Sequence, residues 1–465
     1  MAGAGLEVTG RRVVVAGAAR SGLAAAKLLA GRGAKVTVSD VRPEVPEAQA
    51  LRGTGVTFEF GGHLADTFAA ADLVVVSPGV PTTQPAIRVA RAAGVPVVSE
   101  LELASRWLRG RLIAVTGTKG KSTTTVLVGR MLEAGGFRVA VGGNIGVPLS
   151  AQVAASTPDT VHVVEASSFQ LEQIDQFHPW IAVMLNFSPD HLDRHATVDE
   201  YAAAKARVFE NQDERDWAVI NADDPTVLEL ASRGRARRRP FSRRTTLPAG
   251  TTLESGWIVD RWNDVATRLV PVSAIRLLGP HLVDDVMAAA TVGAIAGVAP
   301  AALTGAVEGF SGLEHAMELV AEVGGVRFVN DSKATNVESA LRSIESFEHG
   351  LVPIIGGRFK GGDLERLRAP LAARAKGVVA IGEAAARVAA ALEGAVAVRQ
   401  ATTLGEAVDA AYAMARPSGI VLLAPACASF DMFSDYAERG RQFKQAVDRI
   451  GRRMAGRRDG DAPMR

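Results

Sequence analysis

The segment GTKGKST at 117–123 restricts the possible folds of this chain more than any other stretch of its sequence. It follows the apolar run RLIAVTG (111–117) and opens a helical pattern that continues as KSTTTVLVGRMLEAGG. A glycine loop between a strand and a helix lets backbone N–H groups approach phosphate groups, and the N-terminus of the helix adds positive potential. We therefore predict a phosphate-binding loop in which Lys121 reaches the β- and γ-phosphates and the Ser122 hydroxyl ligates Mg²⁺.

The spacing of this loop is unusual, because only two residues separate Gly117 from Gly120, whereas the common pattern has four. The alternative interpretation is a glycine turn followed by a surface lysine. Lysine usage argues against it, since the chain has 43 arginines and only 9 lysines. Where any cation suffices this chain has arginine, so its lysines are enriched at sites that need a compact primary amine.

Short β-type runs alternate with helical segments along the whole chain, which predicts an α/β fold with largely parallel sheets. Three of these runs end in a glycine turn, at 11–17, 111–117 and 351–357. The length of 465 residues corresponds to about three domains at roughly 150 residues each. We predict a Rossmann-like N-terminal domain, a P-loop-type central ATPase domain and a Rossmann-like C-terminal domain, at 1–99, 100–312 and 313–465.

Composition and charge narrow the class of protein. Hydrophobic residues make up 48% of the chain and charged residues 22%, as in ordinary soluble globular proteins. No apolar run is long enough to span a membrane, and MAGAGLEVTGRR lacks the apolar core of a signal peptide. The net charge of +2 creates no field that attracts nucleic acid, and the single Cys427 suits a reducing compartment. We expect a cytoplasmic, monomeric enzyme with no nucleic-acid partner and no membrane insertion.

Three segments have an irregular composition. Segment 233–244 carries seven arginines, and segment 451–465 carries five arginines against two aspartates. Neither alternates arginine with aromatic residues that could stack on bases, so we predict a solvated loop and a disordered tail. The polar and β-forming segment 240–275 predicts a small antiparallel addition to the central domain.

A phosphate loop needs a metal-binding acid nearby, and the pattern TVHVVE delivers Glu165 at a strand end, where α/β folds bind ligands. In NFSPDHLDRH (186–195), His191 and His195 lie four residues apart, which on a helix would place both on one face, as in a zinc site. Because no third soft ligand follows, we favour one histidine as the ligand of a hard metal. By residue type alone, Lys205 in the helical YAAAK is a solvated helix lysine.

The N-terminal turn GAARSG (17–22) resembles a dinucleotide-binding turn imperfectly, because Ala19 occupies the position of the middle glycine. Asp40 ends the second strand, where an acid would bind a ribose. On these residues alone, a dinucleotide site, a site for another nucleotide diphosphate and plain tight packing remain equally open.

Taken in order, GTKGKST, Glu165, the DH of 190–191 and Lys205 resemble the Mur ligases, ATP-dependent amide-bond-forming enzymes of peptidoglycan synthesis. Further motifs narrow the resemblance to the D-glutamate-adding members: VSPGV (76–80), SSFQLE (167–172), NDSKATN (330–336) and APACASFD (424–431). The resemblance covers nearly the whole chain. It implies UDP-N-acetylmuramoyl-L-alanine, D-glutamate and ATP as substrates, two Mg²⁺ ions, and an acyl-phosphate intermediate.

The resemblance also implies roles for individual residues. The UDP-sugar substrate is expected at Arg20, Ser21, Asp40, Arg42, Ser77, Asn144 and Gln170. ATP is expected at Gly117, Thr118, Lys119, Gly120, Lys121, Ser122, Thr123, His281, Asp285, Asp331 and Lys333. D-glutamate is expected at Thr335, Lys360, Ser429 and Tyr436. The metal ions are expected at Ser122, Glu165, His191 and a carbamylated Lys205, and the catalytic residues are Lys121, Lys205, His191 and Lys333.

Four residues depart from the family pattern, all at positions expected near ATP. Lys119 replaces an asparagine, Leu282 and Asp285 replace two more, and Ala316 replaces an arginine. Asp285 can still accept a hydrogen bond from an adenine amino group, whereas Leu282 and Ala316 cannot replace polar contacts. The resemblance with these departures implies weakened binding of ATP.

Other functions compete with this one. Another Mur ligase or a folylpolyglutamate synthase-type ligase would share the phosphate loop, but SSFQLE and NDSKATN argue against both. A nicotinamide-dependent dehydrogenase would use the N-terminal fold, but Ala19 and the central phosphate loop disfavour it. The changes to Leu282 and Ala316 leave room for a catalytically silent nucleotide-binding relative.

Overall fold

The computed structural model describes residues 6–190, 194–275 and 280–460, without the side chains of Pro280, His281 and 455–460. Within these residues the strands form three separate sheets of five, nine and six strands. Each sheet is largely parallel, so the predicted α/β fold with three sheet-based domains is confirmed. Residues 6–275 with 281–309 form one compact unit, and residues 310–460 form a second.

The first sheet is entirely parallel. Its strands are Arg12–Ala16 (β1), Lys35–Asp40 (β2), Thr57–Phe60 (β3), Leu73–Val76 (β4) and Val97–Ser99 (β5). Its helices are Arg20–Ala30 (α1), Ala65–Ala69 (α2), Pro85–Ala92 (α3) and Glu100–Ser105 (α4), with a 3₁₀ turn at Pro46–Leu51. The spatial order is β3-β2-β1-β4-β5. In β1, Val13 and Val15 pack on one face and Val14 and Ala16 on the other, so the strand reads as an uninterrupted apolar run.

The central sheet has the order β14-β13-β12-β11-β10-β9-β6-β8-β7. Its strands are Arg111–Thr116 (β6), Arg138–Gly143 (β7), Thr160–Glu165 (β8), Ile181–Met184 (β9), Trp217–Asn221 (β10), Arg237–Ser242 (β11), Gly250–Glu254 (β12), Trp257–Trp262 (β13) and Val265–Pro271 (β14). The helices are Lys121–Ala134 (α5), Leu149–Gln152 (α6), Ser168–Leu171 (α7), Val198–Ala206 (α8), Pro225–Ala231 (α9), Pro280–Ile295 (α10) and Pro300–Glu308 (α11), with 3₁₀ turns at Val153–Ala155, Arg207–Phe209 and Val272–Ala274.

The segment 240–275 supplies β12, β13 and β14, which pair antiparallel with one another as the sequence indicated. The prediction for 233–244 was wrong, because β11 lies inside this segment and pairs with β10. Arg239 is only 4% exposed and forms an ion pair with Asp260, with Nε 3.2 Å from Oδ1. Its guanidinium also lies 3.9 Å from the centre of the Trp262 ring. Arg239 is therefore buried because it pairs with Asp260, and the arginine-rich sequence around it does not reveal this partner.

The third sheet belongs to the second unit and has the order β15-β16-β20-β17-β18-β19. Its strands are Glu318–Val323 (β15), Val326–Asn330 (β16), Leu351–Gly356 (β17), Val378–Ile381 (β18), Val398–Gln400 (β19) and Gly419–Leu423 (β20). Its helices are Val337–Glu345 (α12), Arg368–Arg374 (α13), Ala385–Ala391 (α14), Leu404–Ala415 (α15) and Tyr436–Gly460 (α16), with a 3₁₀ turn at Leu364–Leu367. Only β15 is antiparallel to its neighbour.

Helix α16 continues to Gly460, so most of the segment 451–465, for which the sequence predicted disorder, is helical. The expected boundaries at 99 and 312 stay predictions, although each sheet lies within one expected range. None of the helices in the described residues combines the length and the apolar character that crossing a bilayer requires.

Candidate active site

The predicted phosphate loop lies where the carboxyl ends of three neighbouring parallel strands meet. The loop 117–123 follows β6, Glu165 ends β8 on one side, and Asn186 follows β9 on the other. Asn186 Oδ1 accepts hydrogen bonds from the backbone N–H groups of Thr118 at 3.2 Å and Lys119 at 2.9 Å. The loop therefore has a fixed shape at the edge of the sheet where α/β folds bind their ligands.

Gly120 is required by both its conformation and its surroundings. Its φ of +81° is left-handed, and a Cβ atom there would lie 2.0 Å from Asp285 Oδ1. Asp285 is 3% exposed on α10, and its Oδ2 has no hydrogen-bond partner among the described residues. Burial raises the pKa of this carboxyl well above its ordinary value. The structure thus packs Asp285 against the loop backbone.

Two lysines converge on one carbonyl of the loop. Lys121 Nζ donates to the carbonyl oxygens of Gly117 at 3.0 Å and Thr118 at 2.9 Å. Lys205 Nζ donates to the same Gly117 oxygen at 2.6 Å. Lys205 is 1% exposed, so the solvated helix lysine expected from its residue type is wrong. Burial, helped by the positive charge of Lys121, lowers the pKa of the Lys205 amine to about 7.

Two of the residues predicted to bind metal, Ser122 and Glu165, supply hard oxygen donors. Ser122 Oγ donates to Glu165 Oε2 at 2.5 Å, and Asn144 Nδ2 donates to Glu165 Oε1 at 2.7 Å. Glu165 is only 2% exposed. A buried carboxylate beside a hydroxyl, at the point where the phosphate loop enters α5, is a donor set that suits Mg²⁺. The residues present therefore fit this ion.

Of the two histidines in 186–195, His191 lies outside the described residues and His195 lies within them. His195 precedes α8, so it does not lie on a helix, and the zinc-like helical pair does not form. Its Nε2 lies 3.0 Å from Ser168 Oγ, and its ring stacks on Phe169 with 5.5 Å between ring centres.

In the N-terminal sheet, the turn GAARSG (17–22), where the resemblance implies the UDP-sugar, follows β1 between the ends of β2 and β4. A Cβ atom on Gly22 would lie 1.8 Å from the carbonyl oxygen of Gly17, so the turn closes tightly upon itself. Ser77, after β4, donates from Oγ to the same Gly17 oxygen at 3.0 Å. Arg20 and Ser21 form the first turn of α1.

Asp40, at the end of β2, accepts a hydrogen bond from the backbone of Ala18 at 2.7 Å and a two-pronged contact from Arg42 at 3.0 Å. Burial alone would raise the pKa of Asp40, but these hydrogen bonds lower it to about 2. Asp40 is therefore a fixed anion, and Arg42, half of whose side chain is exposed, keeps its charge beside it.

The loop after β7 lies near this turn, because Arg20 donates to the carbonyl oxygen of Gly146. Asn144 precedes Gly146 in that loop. Gln170 is 1% exposed, and its Oε1 accepts from the Ser167 backbone at 3.0 Å, while its Nε2 has no partner in the part of the chain that the structure describes. A buried amide with an unused donor is what a polar ligand would satisfy.

The second unit brings the remaining predicted residues to one sheet edge. Asp331, Lys333 and Thr335 follow β16, Ser429 follows β20 and Lys360 follows β17, and these three strands are neighbours. Lys333 and Lys360 are exposed, and Ser429 is buried. Tyr436 begins α16 and is 41% exposed. Asp331 is buried, where Ser343 and the Met317 backbone donate to it.

Two residues beside these sites were missed from the sequence. Arg439 is 1% exposed and donates to Ser332 Oγ at 2.9 Å and to the Cys427 carbonyl at 3.2 Å, so it ties two of the loops together. The charged stretch YAERGRQFK gives no sign of this burial. His63, whose Nδ1 lies 2.7 Å from Ser39 Oγ, lies in the loop after β3, and its place after a strand was an available signal. His281 lies in α10, but its side chain is outside the described residues.

Comparison with known proteins finds similarity over nearly the whole chain. The Mur ligase MurD-like N-terminal domain matches residues 11–99, the Mur ligase middle domain 115–293, and the Mur ligase glutamate ligase domain 316–427. The UDP-N-acetylmuramoylalanine–D-glutamate ligases of Koribacter versatilis and Geobacter metallireducens are 46% and 45% identical to it, each over 96% of this chain and 99% of the relative.

Solved structures show the same fold. The UDP-N-acetylmuramate–alanine ligase of Thermotoga maritima superposes with a TM-score of 0.57 at 19% identity, over 94% of this chain and 99% of that one. The pseudomurein peptide ligase type C of Methanothermus fervidus superposes with a TM-score of 0.54 at 16% identity, over 95% and 100%.

Proposed function

The chain belongs to the Mur ligase family, and we propose that it joins D-glutamate to UDP-N-acetylmuramoyl-L-alanine with the conversion of ATP to ADP and phosphate. The family is ATP-dependent and requires Mg²⁺. The choice of substrates rests on relatives named UDP-N-acetylmuramoylalanine–D-glutamate ligase, which are 46% and 45% identical to this chain over 96% of its length. The phosphate loop, with Glu165 and two lysines around it, supports the chemistry.

The main obstacle to the reaction is electrostatic. In the first step, the L-alanyl carboxylate attacks the γ-phosphorus of ATP, an acyl phosphate forms and ADP leaves. An anion must therefore approach a polyanion, and preorganised positive charge lowers this barrier most effectively. Lys121 lies in the loop where the triphosphate would bind, so we assign it to neutralise the charge that develops there. Lys333 is proposed to do the same from its own loop.

In the second step, the D-glutamate amine attacks the acyl carbonyl, phosphate leaves from the tetrahedral intermediate, and the nitrogen loses a proton. We propose that Lys360, Thr335, Ser429 and Tyr436 hold D-glutamate, because their loops meet at one sheet edge. The exposed ammonium of Lys360 would pair with the side-chain carboxylate of D-glutamate. The amine attacks well only when it is oriented towards the carbonyl, which is what fixed loops provide.

Bound Mg²⁺ would screen the charge between the carboxylate and the phosphates. We propose that Ser122 and Glu165 hold one ion, and that His191 and a modified Lys205 hold a second. The modification is a carbamate, formed when the neutral amine attacks CO₂ and releases a proton. Two features of Lys205 support it: a buried amine whose pKa is about 7 is largely neutral near neutral pH, and it lies beside the loop.

The UDP-sugar is proposed to bind in the N-terminal sheet. The N-terminus of α1 and the tight turn at 17–22 suit a diphosphate. The anion of Asp40 suits a hydroxyl donor on the uridine side, and the unused donor of Gln170 suits an oxygen of the sugar. Because ATP and UDP-sugars are nucleotides of the cytoplasm, we place the reaction there, with the chain acting as a monomer.

A phosphate-release assay tests this function. With UDP-N-acetylmuramoyl-L-alanine, ATP and Mg²⁺ present, D-glutamate should start sustained release, whereas L-glutamate should not. A dehydrogenase or a silent nucleotide-binding protein would release none. Release that depends on a folate substrate or on another amino acid would contradict the assignment and favour a different ligase.

A further inference from the structure

Arg194, in the segment before α8, makes contacts to which the proposed function assigns no role. The residue is half-buried. Its Nη2 donates to the carbonyl oxygen of Val80 at 3.0 Å, and its Nη1 donates to that of Gly79 at 3.4 Å. Gly79 and Val80 lie in the loop after β4, far from Arg194 along the chain. The guanidinium therefore joins a loop of the first sheet to a loop of the central sheet.

Val80 also packs against the tight turn at 17–22, where the UDP-sugar is proposed to bind. A Cβ atom on Gly17 would lie 2.7 Å from Val80 Cγ2 and 3.0 Å from Ser77 Cβ. The Ser77 hydroxyl donates to the Gly17 carbonyl oxygen at 3.0 Å. Since Val80 and the turn are packed together, a side chain that holds the Val80 carbonyl also restricts the position of the turn.

On its other side, Arg194 lies on the ring of Phe169, which belongs to α7. The guanidinium carbon is 4.4 Å from the centre of this ring, a cation–π arrangement. His195 stacks on the same ring at 5.5 Å, and its Nε2 lies 3.0 Å from Ser168 Oγ. The His195 ring lies 5.3 Å from that of Tyr201 on α8. The segment before α8 is thus fixed against α7.

Helix α8 leads from these contacts to the phosphate loop. Thr118 Oγ1 donates to the carbonyl oxygen of Ser188 at 3.1 Å, so Tyr201 Oη, 3.3 Å away, is the donor in its contact with Thr118. Lys205, further along the helix, donates to the loop carbonyl described above. Helix α8 therefore connects Arg194 to the phosphate loop.

A continuous series of contacts thus runs from the turn at 17–22 through Arg194 and α8 to the phosphate loop. The two groups that react in the proposed first step belong to molecules proposed to bind at its two ends: the carboxylate is part of the UDP-sugar substrate, and the γ-phosphorus is part of ATP. Reacting atoms must lie about 3–3.5 Å apart, and a misplacement of about 1 Å can slow a reaction roughly a hundredfold. The distance between the turn and the phosphate loop therefore affects the rate.

We propose that Arg194 is a positioning residue for ligation, which holds the loop after β4 against the segment before α8 and so sets the distance between the UDP-sugar and the triphosphate. This inference rests on the proposed function. Arg194 contacts neither nucleotide in this arrangement, so its loss should slow the reaction without weakening the binding of either one. Arginine suits the position because its planar guanidinium can donate to two carbonyl oxygens while it lies on an aromatic ring.

The test measures kcat by phosphate release, and the affinities for UDP-N-acetylmuramoyl-L-alanine and ADP by calorimetry. In Arg194→Gln, kcat should fall at least about tenfold, while both dissociation constants stay within about threefold of the parent. Arg194→Lys should recover part of the lost kcat, because its ammonium can still donate to the carbonyl oxygens.

The matched control is Arg91→Gln. Arg91 also joins the two sheets, since its Nη2 lies 2.6 Å from Gln173 Oε1, but this contact involves neither α8 nor the turn at 17–22. The kcat of this variant should stay within about twofold of the parent. An equal fall in kcat in Arg91→Gln and Arg194→Gln would overturn the proposal, because any lost contact between the sheets would then suffice.

A kcat of Arg194→Gln within twofold of the parent would also overturn the proposal, as would an Arg194→Lys variant no more active than Arg194→Gln. A loss of UDP-sugar affinity as large as the fall in kcat would make Arg194 a binding residue instead. A merely structural role would lower the calorimetric stoichiometry and leave kcat per binding-competent molecule unchanged, which contradicts positioning. A parent without D-glutamate-dependent release would overturn the proposed function itself, so the two failures are distinguishable.

Discussion

At the scale of single residues, the carbonyl oxygen of Gly117 connects two parts of the candidate active site, the phosphate loop and α8. It accepts hydrogen bonds from both Lys121 and Lys205, which places two amines of different character beside one loop. Lys121 lies in the loop itself, whereas Lys205 reaches it from α8 and is buried. The two lysines therefore predict different outcomes on substitution.

Lys121→Ala should reduce ligation by at least about a hundredfold, because a preorganised charge at the reacting phosphate is lost. Affinity for the UDP-sugar should stay within about twofold of the parent, since Asp40, Arg42 and Ser77 lie in another sheet. Steady-state kinetics and calorimetric binding measure the two effects. A comparable loss of UDP-sugar affinity would contradict the assignment of the two nucleotides to different sheets.

Lys205→Ala should be nearly inactive and partly restored by acetate, a small carboxylate that can occupy the place of the carbamate. Lys205→Arg should be inactive with or without acetate, because arginine forms no such carbamate. Full activity of Lys205→Arg would exclude the modification.

The carbamate should also depend on pH. Only the neutral amine reacts with CO₂, and the pKa of Lys205 is about 7, so the carbamate should form at pH 8 and decline as the pH falls below 7. A ¹³C NMR signal after labelling with bicarbonate measures it, and Lys205→Arg is the control that should give none. A signal that stays constant from pH 6 to pH 8 would be inconsistent with this amine.

Asp285→Asn should stabilise the protein at alkaline pH. Burial raises the pKa of Asp285, so the folded state retains a proton that the unfolded state releases above its ordinary pKa of about 4. The parent should therefore lose stability as the pH rises from about 4 towards the raised pKa, and asparagine should not.

We expect a gain on the order of 1–3 kcal/mol at pH 8 that shrinks towards pH 5, measured by urea unfolding. Asp284→Asn is the matched control, because Asp284 is partly exposed and its Oδ1 lies 2.8 Å from Arg243 Nε. That variant should lose stability at pH 8. Parallel pH curves for the parent and Asp285→Asn would refute the buried, protonated carboxyl.

At the scale of elements, the short helix α4 depends on one buried acid. Glu102 is 1% exposed and accepts hydrogen bonds from the backbone N–H groups of Asp175 at 2.9 Å, Gln176 at 3.1 Å and Phe177 at 2.8 Å. Arg106, which directly follows α4, forms an ion pair with the same carboxylate. The carboxylate thus joins α4 to the segment that precedes β9.

Glu102→Gln should destabilise the protein by about 2–4 kcal/mol, because the amide NH₂ would face donors and Arg106 would keep only Asp175 as its ion-pair partner. Urea unfolding measures the change. Glu133→Gln, at an exposed position of α5, should change stability by less than about 0.5 kcal/mol. Equal effects of the two substitutions would show that the Glu102 contacts contribute nothing.

The order of the elements was predictable, and their long-range partners were not. The apolar runs of β1 and β6, with the glycines after them, depend on local pattern alone, so the sequence indicated both strands and the phosphate loop. The burial of Lys205 and Arg239 depends on groups distant along the chain, Gly117 and Asp260. Arg439 was missed for the same reason, because its partners lie in loops after β16 and β20.

At the scale of the whole molecule, the same arrangement occurs three times: residues proposed to bind substrates lie at the carboxyl ends of neighbouring parallel strands. The residues proposed to bind the UDP-sugar and the phosphate loop belong to the first compact unit, and those proposed to bind D-glutamate belong to the second. The three sheets could be predicted, because strands and helices leave periodic patterns in a sequence. The grouping of the first two sheets into one compact unit could not, because contact between domains leaves no such pattern.

UDP-N-acetylmuramoyl-L-alanine alone should slow hydrogen exchange in residues 6–190, because ligand binding to the folded state stabilises the region that holds it. The backbone of 310–454 should exchange as in the free protein. Exchange followed by mass spectrometry measures both regions, and D-glutamate alone serves as the control ligand. Protection confined to 310–454 would show that the UDP-sugar binds the second unit, and it would contradict the proposed site in the N-terminal sheet.

The tight turn between β1 and α1 has a consequence for inhibitor resistance. Any side chain at position 22 would collide with the Gly17 carbonyl, so a substitution there would have to displace the backbone that forms the turn. An inhibitor that contacts only the backbone around Gly22 would therefore meet a surface that no substitution at position 22 can change without disrupting the turn. Escape would have to arise at the surrounding side chains, of which Ser77 is packed directly against the turn.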